Sequence, residues 1–189
     1  MSRRILFWAP WALACLFVAG IVHLSAVLMM PFVVKSDVYA RLGGTNDGVT
    51  LLGDPANGKQ AFPFQDPAFA TGVCRFDLDA GPQRLRAAIP GDGMLSLAIY
   101  DRTGRAFYST TDRAALRGRI DIALVSPEQL ESLEASDPED ATPQELRLTP
   151  PTRTGFVVVR ALIERPGMED AAQAALRAVE CRRDKSLLR

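Results

Sequence analysis

Histidine is almost missing from this chain: 189 residues contain one, His23. It sits in a long apolar segment, so the rest of the chain has none. A Ser-His-Asp triad, a Cys-His pair and a His-containing metal site are thereby excluded there. Cysteine is scarce as well, with Cys15, Cys74 and Cys181. No second Cys or His stands near either of the last two, which argues against a metal site. An excess of one charge is also absent: 22 Lys and Arg balance 22 Asp and Glu, so no basic surplus points to nucleic acid. There is no Gly-rich phosphate loop, no repeat and no low-complexity tract. Carboxylates are plentiful, yet no spacing singles out a glycosidase pair. Neither a cofactor nor a catalytic residue is assigned on this basis.

What is present begins with Ile5 to Val34, which contains no Asp, Glu, Lys or Arg. Crossing about 30 Å of hydrocarbon takes about 20 apolar helical residues, and Trp11 to Met30 alone supplies them. The segment reads as an uncleaved signal anchor. Cleavage is one alternative, since Val18-Ala19-Gly20 passes as a small-x-small site, although ten mostly apolar residues follow it; a core helix of a soluble protein is the other. Pro10 and Pro31 fall near the ends of the apolar core, and Trp8 and Trp11 suit one membrane interface. Arg3 and Arg4 precede the span, while Lys35 is quickly answered by Asp37. Positive charge stays inside, so the N-terminus is expected in the cytoplasm and the rest across the membrane.

Wound at 100° per residue, the span gathers Ala12, Cys15, Ala19, His23 and Ala26 in one stripe. Small residues let helices approach closely in lipid, and a His can bond across the contact. The stripe is therefore a candidate surface for a partner helix or for self-association. Alanines placed by chance and a His bonded to its own helix are the plain alternative.

About 150 residues follow the span, enough for one domain with its own core. Cys74 and Cys181 are its only thiols. In an oxidising compartment they are a candidate disulfide, joining the first strand to the last helix. Two separately buried thiols are the alternative.

The expected organisation is a tail over 1–4, a span over 5–34, a helix end and irregular lead-in over 35–71, and a β-rich domain over 72–189. Ser36 to Leu42 can continue the helix, with Gly43-Gly44 as its stop. Thr45 to Ala70 is rich in turn residues, with Phe62-Pro63-Phe64 and Phe69 as core plugs. From Gly72 the apolar period becomes two. Cys74, Phe76 and Leu78 share one face; Leu85, Ala87 and Ile89 the next; Leu95, Leu97 and Ile99 another; Ile120, Ile122 and Leu124 another still. Turns fall at Asp79-Ala80-Gly81-Pro82, Pro90-Gly91-Asp92-Gly93 and Asp101-Arg102-Thr103-Gly104, and Phe107 lies on the returning strand. Ser126-Pro127-Glu128-Gln129 is a helix start, running to about Glu134 with Leu130 and Leu133 inward. Glu128, Glu131, Glu134, Asp137, Glu139, Asp140 and Glu145 form an acidic patch that reads as solvated surface. Leu146 and Leu148 begin a strand, and Gly155 to Ile163 is nearly continuous apolar, a central strand ended by Pro166-Gly167. A terminal helix is expected over 168–183, with Ala172, Ala175, Leu176 and Val179 inward. The fold class is mainly β with α+β character: a transmembrane helix, then an antiparallel sandwich of jelly-roll kind with a short helix and a terminal helix. Asp101, Asp112 and Arg113, near the hairpin, read as turn caps and ion pairs.

The run Cys74-Arg75-Phe76-Asp77-Leu78, with Gly81-Pro82, Ile89-Pro90, Ser96-Leu97-Ala98-Ile99-Tyr100-Asp101, Phe107-Tyr108-Ser109 and Asp112-Arg113, resembles the bacterial domain-of-unknown-function family 1254, in its short single-span membrane form. Ser126-Pro127-Glu128-Gln129-Leu130, Gly155-Phe156-Val157-Val158-Val159-Arg160 and the segment ending in Cys181 fit the same form. The resemblance implies a β-rich fold, placement in a bacterial envelope and a partner of family 1214 type, to which longer relatives are fused. It implies no activity.

Two classes of function remain. One is an interaction protein held in the bilayer. The other is a ligand-binding or enzymatic module with its site in a cleft. A flat apolar patch favours the first; a pocket of convergent polar residues favours the second.

Overall fold

The computed structural model describes residues 2–33, 39, 42, 47–53, 65–89, 93–115, 118–138, 145–184 and 187, apart from the side chains of 2–6, 31 and 33. Lys35, most of the 36–42 helix continuation with its Gly43-Gly44 stop, Phe62-Pro63-Phe64, Pro90-Gly91-Asp92, Glu139 and Asp140 lie outside the described residues, as do the side chains of Arg3 and Arg4. The chain forms two units, residues 1–37 and 38–189.

The first unit is one helix, α1 (Ser2–Val33). It runs through Pro10 and Pro31. From Phe7 to Met30 it is long and apolar enough to cross a membrane, and none of that stretch is buried. Leu16 on one side and Phe17 on the next are 71% and 65% exposed. It is therefore apolar around its whole circumference, which suits lipid rather than one flank of a soluble core.

The second unit contains nine strands among its described residues, arranged as two sheets. They are β1 (Thr50–Leu51), β2 (Phe69–Asp77), β3 (Gln83–Ala88), β4 (Leu95–Asp101), β5 (Ala106–Thr111), β6 (Arg119–Leu124), β7 (Leu146–Leu148), β8 (Thr154–Leu162) and β9 (Glu180–Arg183). The larger sheet has the order β1-β2-β8-β4-β5 and the smaller β7-β6-β3-β9. All pairings are antiparallel except β6 with β7.

Period-two burial explains the layering. Cys74 and Phe76 of β2, Leu97 and Ile99 of β4, and Val157 and Val159 of β8 share a core with Leu85 of β3 and Ile120, Ile122 and Leu124 of β6. Each such side chain, wholly removed from water, contributes about 1.5–3 kcal/mol. Gly155 of β8 permits the closest packing in this core: a Cβ there would collide with the Phe76 ring and the Tyr100 carbonyl.

The helix α2 (Pro127–Ser136) begins as its sequence implies. Ser126 Oγ accepts from the Gln129 amide at 3.2 Å, and Gln129 Oε1 accepts from the Ser126 amide at 2.9 Å. Leu133 is buried against Ala123 and Val125.

Two expectations change. The terminal helix does not run over 168–183. It is α3 (Glu169–Arg177), followed by β9. Val179 and Cys181 are buried while Glu180 and Arg182 are exposed, a two-residue period that β3 selects by pairing Leu85 with Cys181. Cys181 is therefore on an edge strand, not a helix. The lead-in is also not wholly irregular, nor does the β-rich part start at 72. β2 starts at Phe69, and β1 pairs Leu51 with Gly72. A Cβ on Gly72 would strike Val49, so glycine is what allows β1 to lie this close.

Candidate functional site

The residues singled out from the sequence go to separate places. Cys74 lies on β2 and Cys181 on β9, one in each sheet. Their side chains meet with Cα atoms 6.5 Å apart, inside the range a disulfide spans. Gln83, fully buried, directs Nε2 at both sulfurs, 3.3 Å from Cys181 Sγ and 3.9 Å from Cys74 Sγ. Cys15 is a free thiol exposed on α1. Ala12, Ala19, His23 and Ala26 are exposed along the same helix.

The acidic patch is only partly solvated surface. On the smaller sheet Arg84 lies among three carboxylates. Asp121 accepts from its Nε at 2.9 Å, and Glu145 and Asp184 stand 3.5 and 3.6 Å away. Arg86 donates to the second Asp121 oxygen at 2.9 Å. Arg147 links Glu145 to Asp137. The hydrogen bond to Asp121 holds the Arg84 guanidinium above its ordinary value despite burial. Burial alone would raise the Asp121 carboxyl. The hydrogen bonds from Arg84 and Arg86 outweigh it and keep that carboxyl below the usual carboxylate range. Every acid here is matched by a base, so the cluster ties β3, β6, β7 and the C-terminal strand together rather than presenting reactive charge.

Asp101 is a turn cap. Its Oδ1 accepts from the Thr103 hydroxyl at 2.6 Å and from the Thr103 and Arg105 amides at 2.8 and 2.9 Å. The Thr103 hydroxyl is the main reason its carboxyl lies below the ordinary range. Gly104, at φ 88°, closes that hairpin. Arg113 departs from expectation: it makes no ion pair among the described residues.

Arg113 instead borders a groove of about 530 Å³ on the outer face of β8, β4 and β5. Strand register builds it. Ser96 on β4 lies between Arg160 on β8 and Thr111 on β5, and Ala98 lies between Val158 and Ser109. Tyr100 closes one end, stacked on Phe156 with ring centroids 5.1 Å apart. No carboxylate is among the lining residues. The sequence carries a weak signal for this face. Ser96, Ala98 and Tyr100 alternate with core Leu95, Leu97 and Ile99, and Arg160 interrupts the most apolar strand. The nearly continuous apolar run of Gly155 to Ile163 masks it. Among the described residues no group of three or more His, Cys, Asp or Glu is placed to hold a metal ion.

No curated protein matches the chain. Among solved structures it is similar to the VPA0106 protein from Vibrio parahaemolyticus, at 11% identity and a TM-score of 0.50 over 67% of this chain and 30% of that one. An uncharacterized protein from Burkholderia cenocepacia aligns at 13% identity and a TM-score of 0.44, over 73% and 34% of the two chains. This chain therefore spans about a third of the length of either structure. The first likeness extends to the fold alone. The family described as "Protein of unknown function (DUF1254)" matches residues 55–183, from the lead-in through β9 and over more than half of the chain, and the chain belongs to that family.

Proposed function

We propose that this chain is a single-pass, membrane-anchored interaction protein of the bacterial cell envelope. In this reading α1 holds it in the inner membrane with the N-terminus cytoplasmic, and the sandwich is periplasmic. The observation that carries the reading is the apolar stretch Phe7–Met30, exposed on every side. A lipid bilayer supplies the surroundings such a helix needs, and its length matches one crossing.

The role across the membrane is to complete an assembly, with a family 1214-type membrane protein as the partner implied by the resemblance. Ala12, Cys15, Ala19, His23 and Ala26 provide one helix face for that contact or for self-association.

Topology is tested with fusions after Arg189. Alkaline phosphatase is expected to be active there, and a green fluorescent protein exported by the general pathway dark. Bright fluorescence without phosphatase activity overturns the placement. Assembly is tested by crosslinking in membranes and mass spectrometry of what is recovered. Ala19→Ile and His23→Leu are expected to reduce recovery of the partner or self-dimer while leaving insertion intact, and Ile21→Ala to have little effect. Full recovery with an all-leucine span would reduce α1 to a tether.

A further inference from the structure

We propose that the groove on the outer face of β8, β4 and β5 binds a phosphate monoester, held between Arg113 and Arg160. The first argument is uncompensated charge. Arg84, Arg86, Arg147 and Arg153 each meet a carboxylate within 3.6 Å. Arg113 and Arg160 are exposed, line the same groove and meet no carboxylate among the described residues. Two guanidiniums bordering one concavity repel each other, and an anion between them removes that repulsion.

The second argument selects the anion. Besides the two arginines, the groove is lined by the hydroxyl-bearing residues Ser96, Ser109, Thr111 and Tyr100. A carboxylate has two oxygens, and two guanidiniums engage both of them, as Arg84 and Arg86 do at Asp121. A phosphate monoester has three terminal oxygens, enough to accept from two guanidiniums and a hydroxyl at once. Arg also suits phosphate better than Lys would, because its planar fork engages two oxygens together. The third argument is size. About 530 Å³ exceeds what inorganic phosphate fills, and falls in the range of small-molecule sites. The excess runs past Ala98 and Val158 toward Tyr100, giving the organic part of the ester apolar and aromatic surface. A soluble phosphorylated metabolite and the headgroup of phosphatidic acid carry the same monoester group, and the experiment separates them.

The full chain is placed in phosphatidylcholine nanodiscs, and its arginines are modified with phenylglyoxal and mapped by mass spectrometry. One arm adds glycerol 3-phosphate at constant ionic strength. The other replaces part of the phosphatidylcholine, a diester, with phosphatidic acid, whose headgroup is a phosphate monoester. Arg113 and Arg160 are expected to be protected together in at least one arm, while Arg119, exposed on β6 in the other sheet, keeps its rate. Protection by the soluble ester alone identifies a metabolite, and protection by phosphatidic acid alone a headgroup. Arg160→Gln is expected to raise the half-protecting concentration at Arg113 about tenfold or more, with the melting temperature unchanged. The proposal is overturned if neither arm protects the pair, if Arg119 is protected equally, or if Arg160→Gln leaves protection at Arg113 intact.

Discussion

Oxidation of Cys74 and Cys181 to a disulfide is expected to supply a large share of the sandwich's stability. The two cysteines are separated by 107 positions. Closing a loop of that length in the unfolded chain removes about 16 cal/mol/K, or about 5 kcal/mol at 25 °C. Domains of this size are stable by only about 5–15 kcal/mol in total. Reduction is the cleanest perturbation, because both sulfurs are buried and thiols occupy nearly the same volume. Without the bridge, β9 is held by four paired residues on β3, a bond from the Gly48 amide to the Cys181 carbonyl at 2.6 Å, and apolar contact. The assay is urea unfolding of the full chain in neutral detergent, with and without reductant, followed by circular dichroism. Tryptophan emission would be blind to the sandwich, since Trp8 and Trp11 are both in α1. With a urea slope of about 2 kcal/mol/M, the reduced midpoint is expected about 2–3 M below the oxidised one. Unreduced, unfolded protein is expected to titrate a single thiol, Cys15. Finding three reactive thiols, or a midpoint indifferent to reductant, refutes the reasoning.

Asp121→Asn removes the charge that meets Arg84 and Arg86 at 2.9 Å, and is expected to cost about 2 kcal/mol in the same unfolding assay, less than the ~3–5 kcal/mol of a fully buried pair because both partners keep some contact with water. Asp101 and Asp121 both have folded-state carboxyls below the ordinary range. Their contribution is thus complete above the unfolded value and lost as pH falls through the folded ones, so the melting temperature is expected to drop below about pH 4; equal melting temperatures at pH 7 and pH 3 would contradict this. Gly155→Ala drives a methyl into Phe76 and the Tyr100 backbone and is expected to destabilise by about 1–3 kcal/mol, read as a lowered urea midpoint; an unchanged midpoint would show that β8 can shift away from β4.

Much of the fold was legible because burial follows local period. Leu95, Leu97 and Ile99 alternate with outward residues and are core in the structure, and Ser126 with Gln129 caps a helix as its spacing implies. What was illegible depends on partners distant in sequence. Val179 fits the helical stripe of Ala172 and Leu176 as well as it fits a strand, and only pairing with β3 decides for β9. β1 is two residues long and leaves no period to read. The parallel pairing of β7 with β6 is likewise a property of the crossover through α2. The groove needed the same information: Ser96, Thr111 and Arg160 become neighbours only through the register of three strands.

The strand order β2-β8-β4 also sets a timetable. β8 lies between two strands that precede it by a long stretch of chain, so β2 and β4 have no ladder along their shared partner until Leu162 exists. β3 must likewise wait for β9 to complete its second edge. Asp77 and Leu162 are 85 residues apart, a delay of roughly 4–17 s at synthesis rates of about 5–20 residues per second. During that interval the early strands can form only nearer-neighbour hairpins, because ladders with high contact order close last. For a domain that crosses the membrane as proposed, this delay keeps the polypeptide threadable until its last third has been made.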